Sequence, residues 1–329
     1  MAAADAFVTG ANGFIGSHLV PILIRRGYTV TCLLRDPSKA GRLATMGAIL
    51  VRGDVTEAQS MREAMRGSDV VFHLAGWYAL GNLDKARMQS INVDGARCTL
   101  ELAAELGVPK IVHASTVGVF GNTHGKIVDE SYRVEKDTMA SEYERTKWAA
   151  HYEVAVPLQQ QGAPIVIVQP GGVTGSGDTS PHATVFEFFL KRMPVMLGAK
   201  SGLTFAHVDD IAGGHVLASE KGGAGESYII CGPAQTYRQV FEMCETITGI
   251  PAARIWAPGW MAAGMARAAR FLELLGLQLP LSAEGLGSMV DYTFWATAEK
   301  AQREIGWNPR PVEEVFREVL DFLMKKRAG

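Results

Sequence analysis

The stretch Ala6-Phe7-Val8-Thr9-Gly10-Ala11-Asn12-Gly13-Phe14-Ile15-Gly16 constrains this chain more than any other. A short apolar run ends in glycines spaced G-x-x-G-x-x-G, and an amphipathic helix from Phe14 to about Arg26 begins inside the glycine set. Gly10 can adopt dihedrals closed to other residues, Gly13 has no Cβ and lets a pyrophosphate approach the main chain, and Gly16 lets the helix pack close to the strand. The helix N-terminus, where Asn12, Phe14 and Ile15 lie, offers unpaired N–H groups and the positive end of its dipole to an anion. Glycines alone also occur in ordinary turns and caps; a strand before them and a helix after them make this a nucleotide-binding turn.

Beyond the turn, strands and helices alternate. Thr29–Leu34 is a β-branched apolar run ending in Arg35-Asp36-Pro37, and Ile49–Arg52 is a third strand ending in Gly53-Asp54-Val55. Val70–Leu74 is a fourth, running into Ala75-Gly76-Trp77, where small residues would let a cofactor pass over the strand end; Leu74, Ala75 and Gly76 are candidate contacts. A helix from near Leu83 to Leu106 and a fifth strand, Lys110–Ala114, lead to Ser115-Thr116. This pattern predicts an α/β fold, a doubly wound parallel (Rossmann) sheet with helices on both faces. Ligands of such sheets bind at the carboxyl ends of the strands, where Gly10, Arg35, Asp54, Ala75 and Thr116 all fall.

Two positions bear on which nucleotide is bound. Asp36 stands twenty residues after Gly16, where an acid binds the ribose 2′-OH of NAD, but Arg35 beside it would pair with a 2′-phosphate. Pro37 makes Asp36 a turn-starter or cap, so Arg35 and NADP are the preferred reading, with NAD the alternative. Asp54, with Val55 beside it, either accepts a hydrogen bond from adenine or caps a helix from Glu57 to Arg66. His73, on an apolar strand, reads as a satisfied core histidine rather than a catalyst.

Composition excludes several classes of partner. With 329 residues and 47% hydrophobic content the chain can bury a large core, and its formal charge of −2 comes with no basic stripe and no acidic tail, so neither a nucleic-acid nor an anionic-membrane partner has support from the overall charge. Cys32, Cys98, Cys231 and Cys244 are widely separated, with no metal-ligand spacing, and read as reduced thiols of a cytoplasmic protein. Met1-Ala2-Ala3-Ala4-Asp5 lacks the basic and apolar regions of a signal peptide. The apolar stretch Gly259–Ala283 is broken by Arg267, Arg270, Glu273 and Pro280, so it does not span a bilayer; it reads as helical packing in a substrate or dimer surface, with membrane-surface contact the alternative.

Tyr143 and Lys147 stand as Y-x-x-x-K in a helical stretch from Ser141 to Gln161, which puts both on one helix face. A free tyrosine, with a pKa of about 10, is a poor acid or base at neutral pH, but a neighbouring ammonium favours the phenolate. A hydroxyl from the Ser115-Thr116 strand end would hold a substrate oxygen against Tyr143. Y-x-x-x-K alone is common by chance; one helix after a strand ending in Ser-Thr it carries weight.

Taken together, the chain resembles the extended short-chain dehydrogenase/reductases. The matching segments are Thr9–Gly16, Asn92-Val93-Asp94-Gly95, Ser115–Gly121, Tyr143-Glu144-Arg145-Thr146-Lys147 and Phe205–Ala212. Leu34-Arg35-Asp36-Pro37 is similar to the NADP-binding loop of the dihydroflavonol-reductase-like group, and Trp307-Asn308-Pro309 with the last helix is similar to that group and to hopanoid-associated sugar epimerase-like proteins. The resemblance implies Tyr143 as acid/base, Lys147 as the residue that binds the nicotinamide ribose and lowers the Tyr143 pKa, and Thr116, with Ser115 as runner-up, as the holder of the substrate oxygen. It implies Asn92 as an organiser and Pro170, Gly172 and Val173 near the nicotinamide amide, although an ordinary loop would also suit Pro170-Gly171-Gly172. Phe120 replaces the tyrosine usual in its segment.

Beyond Gly175 the alternation weakens. Val166–Val168 is a sixth strand, and Tyr228-Ile229-Ile230 is a short one returning to the main sheet. The expected organisation is a nucleotide-binding domain over 1–175, rejoined by 205–235, and a smaller discontinuous substrate lid over 176–204 and 236–329. Trp77, Tyr78, Phe120, Phe186, Trp256 and Trp260 would line a pocket for an aromatic or lipid-like carbonyl, each with a core role as the alternative. Lys191, Arg192, Lys200, Arg254, Arg267 and Arg270 keep a sugar nucleotide open. Three functions therefore compete: reduction of a ketone or aldehyde (or oxidation of the alcohol) with free NADPH, epimerisation or dehydration of a nucleotide sugar with tightly held cofactor, and a non-catalytic NADP-binding sensor. No metal is expected. A homodimer through the helices around 84–106 and 140–161 is implied by the resemblance.

Overall fold

The computed structural model describes residues 4–79, 84–180, 183–275, 277, 282–287 and 290–328. The strands are β1 (Asp5–Thr9), β2 (Thr29–Leu34), β3 (Ile49–Arg52), β4 (Val70–His73), β5 (Lys110–Ala114), β6 (Ile165–Pro170), β7 (Gly172–Thr174), β8 (Val195–Met196), β9 (Gly202–His207), β10 (Ser227–Ile230), β11 (Ala234–Thr236) and β12 (Ile255–Trp256). Seven of them form one sheet in the order β10-β6-β5-β4-β1-β2-β3. Every neighbouring pair in it is parallel. The strand order reverses between β1 and β4, which is the doubly wound arrangement expected, and β10 is the returning strand that Tyr228-Ile229-Ile230 announced.

Both faces of the sheet are covered, so its strands are apolar throughout and their alternation only assigns residues to sides. Phe7, Val71, Ile111, Ile165 and Ile167 face one core with Leu100 and Val154. Val8, Phe72, Val112, Val166 and Val168 face the other with Leu19 and Val216. A third cluster outside the sheet gathers Phe186, Phe205, Phe241 and Phe316. Ala296, Ala298, Ala301, Ile305 and Trp307, assigned to the lid by their place in the chain, are buried in the second of the sheet cores. The Trp307 indole nitrogen donates to the Asp210 carbonyl at 3.1 Å.

The glycine turn is held by backbone contact. Gly10 has φ +71°. A Cβ on it would lie 2.7 Å from the Ala75 nitrogen, and one on Gly16 would lie 2.1 Å from the Gly10 carbonyl oxygen. Gly13 begins the helix Phe14–Arg25, whose N-terminus has no side-chain cap and no acid in its first turn. A Cβ on Gly13 would meet only the Gly10 oxygen, at 3.2 Å. The turn thus keeps an open cradle beside a bare helix N-terminus, as a phosphate requires.

Two expected helices are more complex. The described part of the helix near 83–106 runs as Lys85–Gln89, a π-helical turn Ser90–Asp94 and Gly95–Glu105; its expected start at Leu83 lies outside the described residues. The next runs as Glu142–Ala149, a π-helical turn Ala150–Ala155 and Val156–Gln160. Ser141 caps it, its hydroxyl accepting from the Glu144 nitrogen at 3.2 Å. Asp54 does not cap the following helix: the cap position of Ala58–Met65 is Glu57. Asp54 instead accepts from the Thr56 nitrogen at 3.0 Å and hydroxyl at 2.9 Å, closing a local Asx turn that competes with capping.

The late segment around His207 braces the first helix. His207 caps the helix Val208–Lys221. His18, on the first helix, meets Asp209 at 2.6 Å, while Asp210 holds the Arg310 guanidinium at 3.0 and 3.1 Å. We expect Gly16→Ala to cost about 1–3 kcal/mol in urea unfolding, since its methyl meets backbone that cannot rotate away; Gly27→Ala, in open space but at positive φ, is the comparison that separates strain from steric conflict.

Candidate active site

The residues singled out in the sequence gather at the carboxyl ends of β1, β4 and β5. Thr9 Oγ1 bonds His73 Nδ1 at 2.9 Å and accepts from the Ala75 nitrogen at 3.3 Å, fixing the chain as it leaves β4. Asn92, 2% exposed, takes the next step. Its side-chain oxygen accepts from the Trp77 nitrogen at 2.6 Å, and its amide donates to the Trp77 carbonyl at 3.1 Å and to Thr146 Oγ1 at 3.0 Å. Asn92 therefore ties the β4 exit to the helix that carries Tyr143 and Lys147. It lies in a π-helical turn, a distortion frequent at functional sites.

Tyr143 is half-buried, and the Thr116 side chain lies beside its phenol and favours the phenolate. The Tyr78 ring covers it, centroids 4.4 Å apart and tilted by 50°. Thr116 Oγ1 also accepts from the Gly118 nitrogen at 3.1 Å, which sets its direction. Ser115 is committed elsewhere: its hydroxyl bonds His151 Nδ1 at 2.8 Å inside the core. The structure thus brings Thr116, and not Ser115, to Tyr143.

At Tyr143 the phenol's pKa is raised, where the neighbouring ammonium was expected to lower it. Lys147, buried, donates from Nζ to the Ala114 carbonyl at 2.7 Å, and burial pulls its pKa down to about 8. Burial pushes the Tyr143 phenol up to about 12, against the lowering effect of the Thr116 side chain, and the Glu144 carboxylate pushes the same way as burial. The two share the helix Glu142–Ala149 as expected, and the ammonium is hydrogen-bonded to the β5 carbonyl.

The remaining candidates divide between the cofactor path and local structure. Arg35 is exposed and makes no hydrogen bond or ion pair among the described residues. Asp36 caps the short turn Pro37–Ala40, accepting from Ser38 Oγ at 2.6 Å and facing Lys39 Nζ at 3.5 Å. Val55 packs under Gly95, where a Cβ would lie 2.8 Å from its Cγ2. Leu74 and Ala75 bound the Gly10 turn, and Gly76 is exposed. Pro170 ends β6 opposite Ile230, and Gly172 and Val173 begin β7, so this is strand and not loop. The glycine at 171 is explained by packing: a Cβ there would lie 2.5 Å from the Thr204 carbonyl oxygen.

His73 is a core residue, but only half satisfied. Its ring stacks on His113 at 5.4 Å, its Nε2 and both His113 nitrogens have no partner among the described residues, and burial pulls its pKa down to about 3, with the Lys147 charge adding to the effect. It stays neutral near pH 7. Of the six aromatic residues expected to line a pocket, Tyr78 lies against Tyr143, whereas Phe120 and Phe186 are fully buried in cores and Trp260 is 73% exposed. The expected pocket is corrected accordingly.

Sequence reasoning missed four residues near this group. Glu144, beside Tyr143, is buried and accepts from Tyr292 Oη at 2.7 Å and Ser141 Oγ at 2.8 Å, which joins the helix of Tyr143 to a segment 148 residues away. Asp178 is held against Ser180 at 2.8 Å, with its second oxygen unpartnered among the described residues. The charges of Tyr143, Tyr237 and Asp178 all act on Tyr78, whose phenol burial already pushes well up. Nothing in local pattern marks Tyr292 or Asp178; Tyr237 follows the capping box of Thr236 and Gln239, visible as T-x-x-Q.

A model of the NAD dependent epimerase/dehydratase family matches residues 6–231, from β1 to just past β10. The chain belongs to this family. Among relatives of this epimerase/dehydratase chain, a Synechocystis sp. protein named for dihydroflavonol 4-reductase is 30% identical, over 98% of this chain and 95% of its own length. Sterol demethylase protein B of Methylococcus capsulatus is 29% identical over 79% of each chain. The crystal structure of gox2253 superposes with a TM-score of 0.84 at 28% identity, covering 98% of both chains. Membership in the epimerase/dehydratase family makes this an NAD(P)-binding chain of the extended short-chain dehydrogenase/reductase type. Among the described residues no helix is long and apolar enough to cross a membrane.

Burial raises the phenols of Tyr143 and Tyr237 to about 12, whereas an unfolded tyrosine titrates near 10. Their contribution to stability is complete below pH 10 and is lost as pH climbs toward 12. We expect folding free energy to fall across that window, and phenolate absorbance to rise in step with unfolding instead of before it.

Proposed function

We propose that this chain is an NADP-dependent oxidoreductase that reduces a ketone or aldehyde carried on an apolar or aromatic substrate. The observation that carries this reading is the Tyr143 phenol with the Thr116 side chain beside it, on one helix with a buried Lys147 and under the Tyr78 ring. NADPH, when bound, supplies the hydride to the carbonyl carbon. Thr116 holds the carbonyl oxygen, and Tyr143 delivers its proton to that oxygen as it gains negative charge. A phenol pushed up to about 12 retains its proton at neutral pH, which suits the acid's role in reduction. Lys147 holds the nicotinamide ribose, and its ammonium stabilises the phenolate left after transfer.

The glycine cradle fits the cofactor's phosphates: Gly10, Asn12, Gly13, Phe14, Ile15 and Gly16 surround a bare helix N-terminus. Arg35 takes the 2′-phosphate, because it is free while Asp36 is spent on Ser38 and Lys39. Asp54 with Val55 serves the adenine, Leu74, Ala75 and Gly76 the path over β4, and Pro170, Gly172 and Val173 the nicotinamide end. Asn92 is a positioning residue. The pair of π-turn helices is the face through which a homodimer would form.

The cations that kept a sugar nucleotide open, Lys191, Arg192, Lys200, Arg254, Arg267 and Arg270, are all exposed. Lys191 faces Glu187 at 3.4 Å, Arg254 faces Glu245 at 2.6 Å, and Arg267 and Arg270 are exposed. A diphosphate would need such cations together. The relatives' names, with dihydroflavonol and sterol in them, point to flat apolar molecules.

Tyr143→Phe should bind NADPH as the wild type does and lose roughly 10²–10⁴ in kcat on a carbonyl panel, and Thr116→Ala should lose turnover while Ser115→Ala keeps most of it. Near-wild-type turnover by Tyr143→Phe would sink the assignment. Arg35→Ala should abolish the preference for NADPH over NADH in KM. Cofactor that survives purification, with no net NADPH oxidation by any carbonyl, would point to the epimerase chemistry instead.

A further inference from the structure

The helix Gly259–Leu274 is built inside out. The side turned toward the protein carries alanine: Ala262 is 0% and Ala269 4% exposed, with Ala266 between them at helical spacing. The large apolar residues point outward. Trp260 is 73% exposed, Met261 40%, Met265 47% and Phe271 62%, and beyond the helix Leu275 is 63% and Leu277 51% exposed. Trp260, Gly264, Phe271 and Leu275 recur at four- and seven-residue intervals, so they form one continuous stripe, with Met261 and Met265 along its edge. Scattered exposed leucines are normal; a contiguous helical stripe of this kind is not.

The charges beside the stripe limit what can cover it. Arg267 and Arg270 are exposed and unpaired among the described residues. From Arg254 to Leu277 the only acid is Glu273, and it is engaged with the Ala283 nitrogen at 2.9 Å. Asp291 lies at the far end of the helix, beside Gly259, so a second copy of this chain packed in register on the same face would bring the arginines together with no carboxylate next to them. An anionic lipid surface supplies the missing negative charge and takes up the aromatic and aliphatic side chains at the depth of its headgroups.

We propose that the helix Gly259–Leu274 lies on an anionic membrane surface, its Trp260–Phe271–Leu275 stripe inserted among the headgroups and Arg267 and Arg270 paired with lipid phosphates. The protein is then a peripheral enzyme that meets the bilayer through its carboxyl-terminal third. This contact is independent of the Tyr143 group, none of whose residues lies on the helix.

The test is sedimentation of the full chain with sucrose-loaded vesicles of phosphatidylcholine alone or mixed with phosphatidylglycerol. Wild type should partition at least about tenfold more strongly to the mixed vesicles, and added salt should weaken that binding. The variant Trp260→Ser/Phe271→Ser/Leu275→Ser should lose binding to both compositions. Arg267→Glu/Arg270→Glu should lose about tenfold or more on the mixed vesicles and change little on phosphatidylcholine. Both variants should keep the wild-type NADPH affinity and thermal midpoint, since the substituted side chains are in solvent. No binding by the wild type, or equal binding by wild type and both variants, would overturn the proposal. So would a wild type that elutes as a larger oligomer than the serine variant, because that result puts a second copy on the stripe.

Discussion

Gly16 rests on the carbonyl of Gly10, closer than any side chain would permit, and the rest of the site is referred to that contact. It fixes the first helix on β1 and so places the helix N-terminus at the point where the strand order reverses. Gly10 in turn is pressed against Leu74 and Ala75. From there the chain reaches Trp77, whose backbone is clasped by Asn92, and Asn92 holds Thr146 on the helix of Tyr143 and Lys147. A continuous line of backbone contacts and short hydrogen bonds thus connects the glycine turn with the helix of Tyr143, and none of it relies on a long flexible side chain. That is how a site assembled from several strand ends holds its geometry.

Much of this was legible in the sequence, for identifiable reasons. The parallel sheet showed because its strands are short β-branched runs separated by helices, and the glycine turn because its spacing answers to backbone sterics. Tyr143 and Lys147 fell on one helix as their spacing required, but the weight of burial at Tyr143 was not visible in that spacing. Four-residue spacing puts two groups on one face without deciding what each one touches, and the Ala114 carbonyl, reachable only once β5 is in place, took the ammonium. Of the two roles open to Asp54 the helix cap fell away for a similar reason: two residues downstream Thr56 offered both a backbone and a hydroxyl donor, and that local option displaced it. The choice between Ser115 and Thr116 turned on His151, thirty-six residues away.

The carboxyl-terminal part was less legible because its contacts are long-range and its residue types ambiguous. Phe186 and Phe316 pack against each other across the third core, ring centroids 5.0 Å apart, and no pattern in either helix distinguishes that from a substrate wall. Tyr292 reaches Glu144 from a segment without regular structure, and Trp307 crosses to the helix Val208–Lys221. Such segments carry specificity because a rigid sheet positions them, and their side chains are chosen for one partner each instead of for a repeating face.

The π-helical turns at Ser90–Asp94 and Ala150–Ala155 lie side by side in the two helices behind the site. Each such turn holds one residue more than an α-helical turn, which rotates everything after it by about 100° relative to what precedes it. The half before the turn, which in the second helix carries Tyr143 and Lys147, is therefore set in a different angular register from the half after it, which in the first helix carries Leu100 and Leu102. A single-codon deletion in either turn would remove that offset and swing one half of the helix against the other.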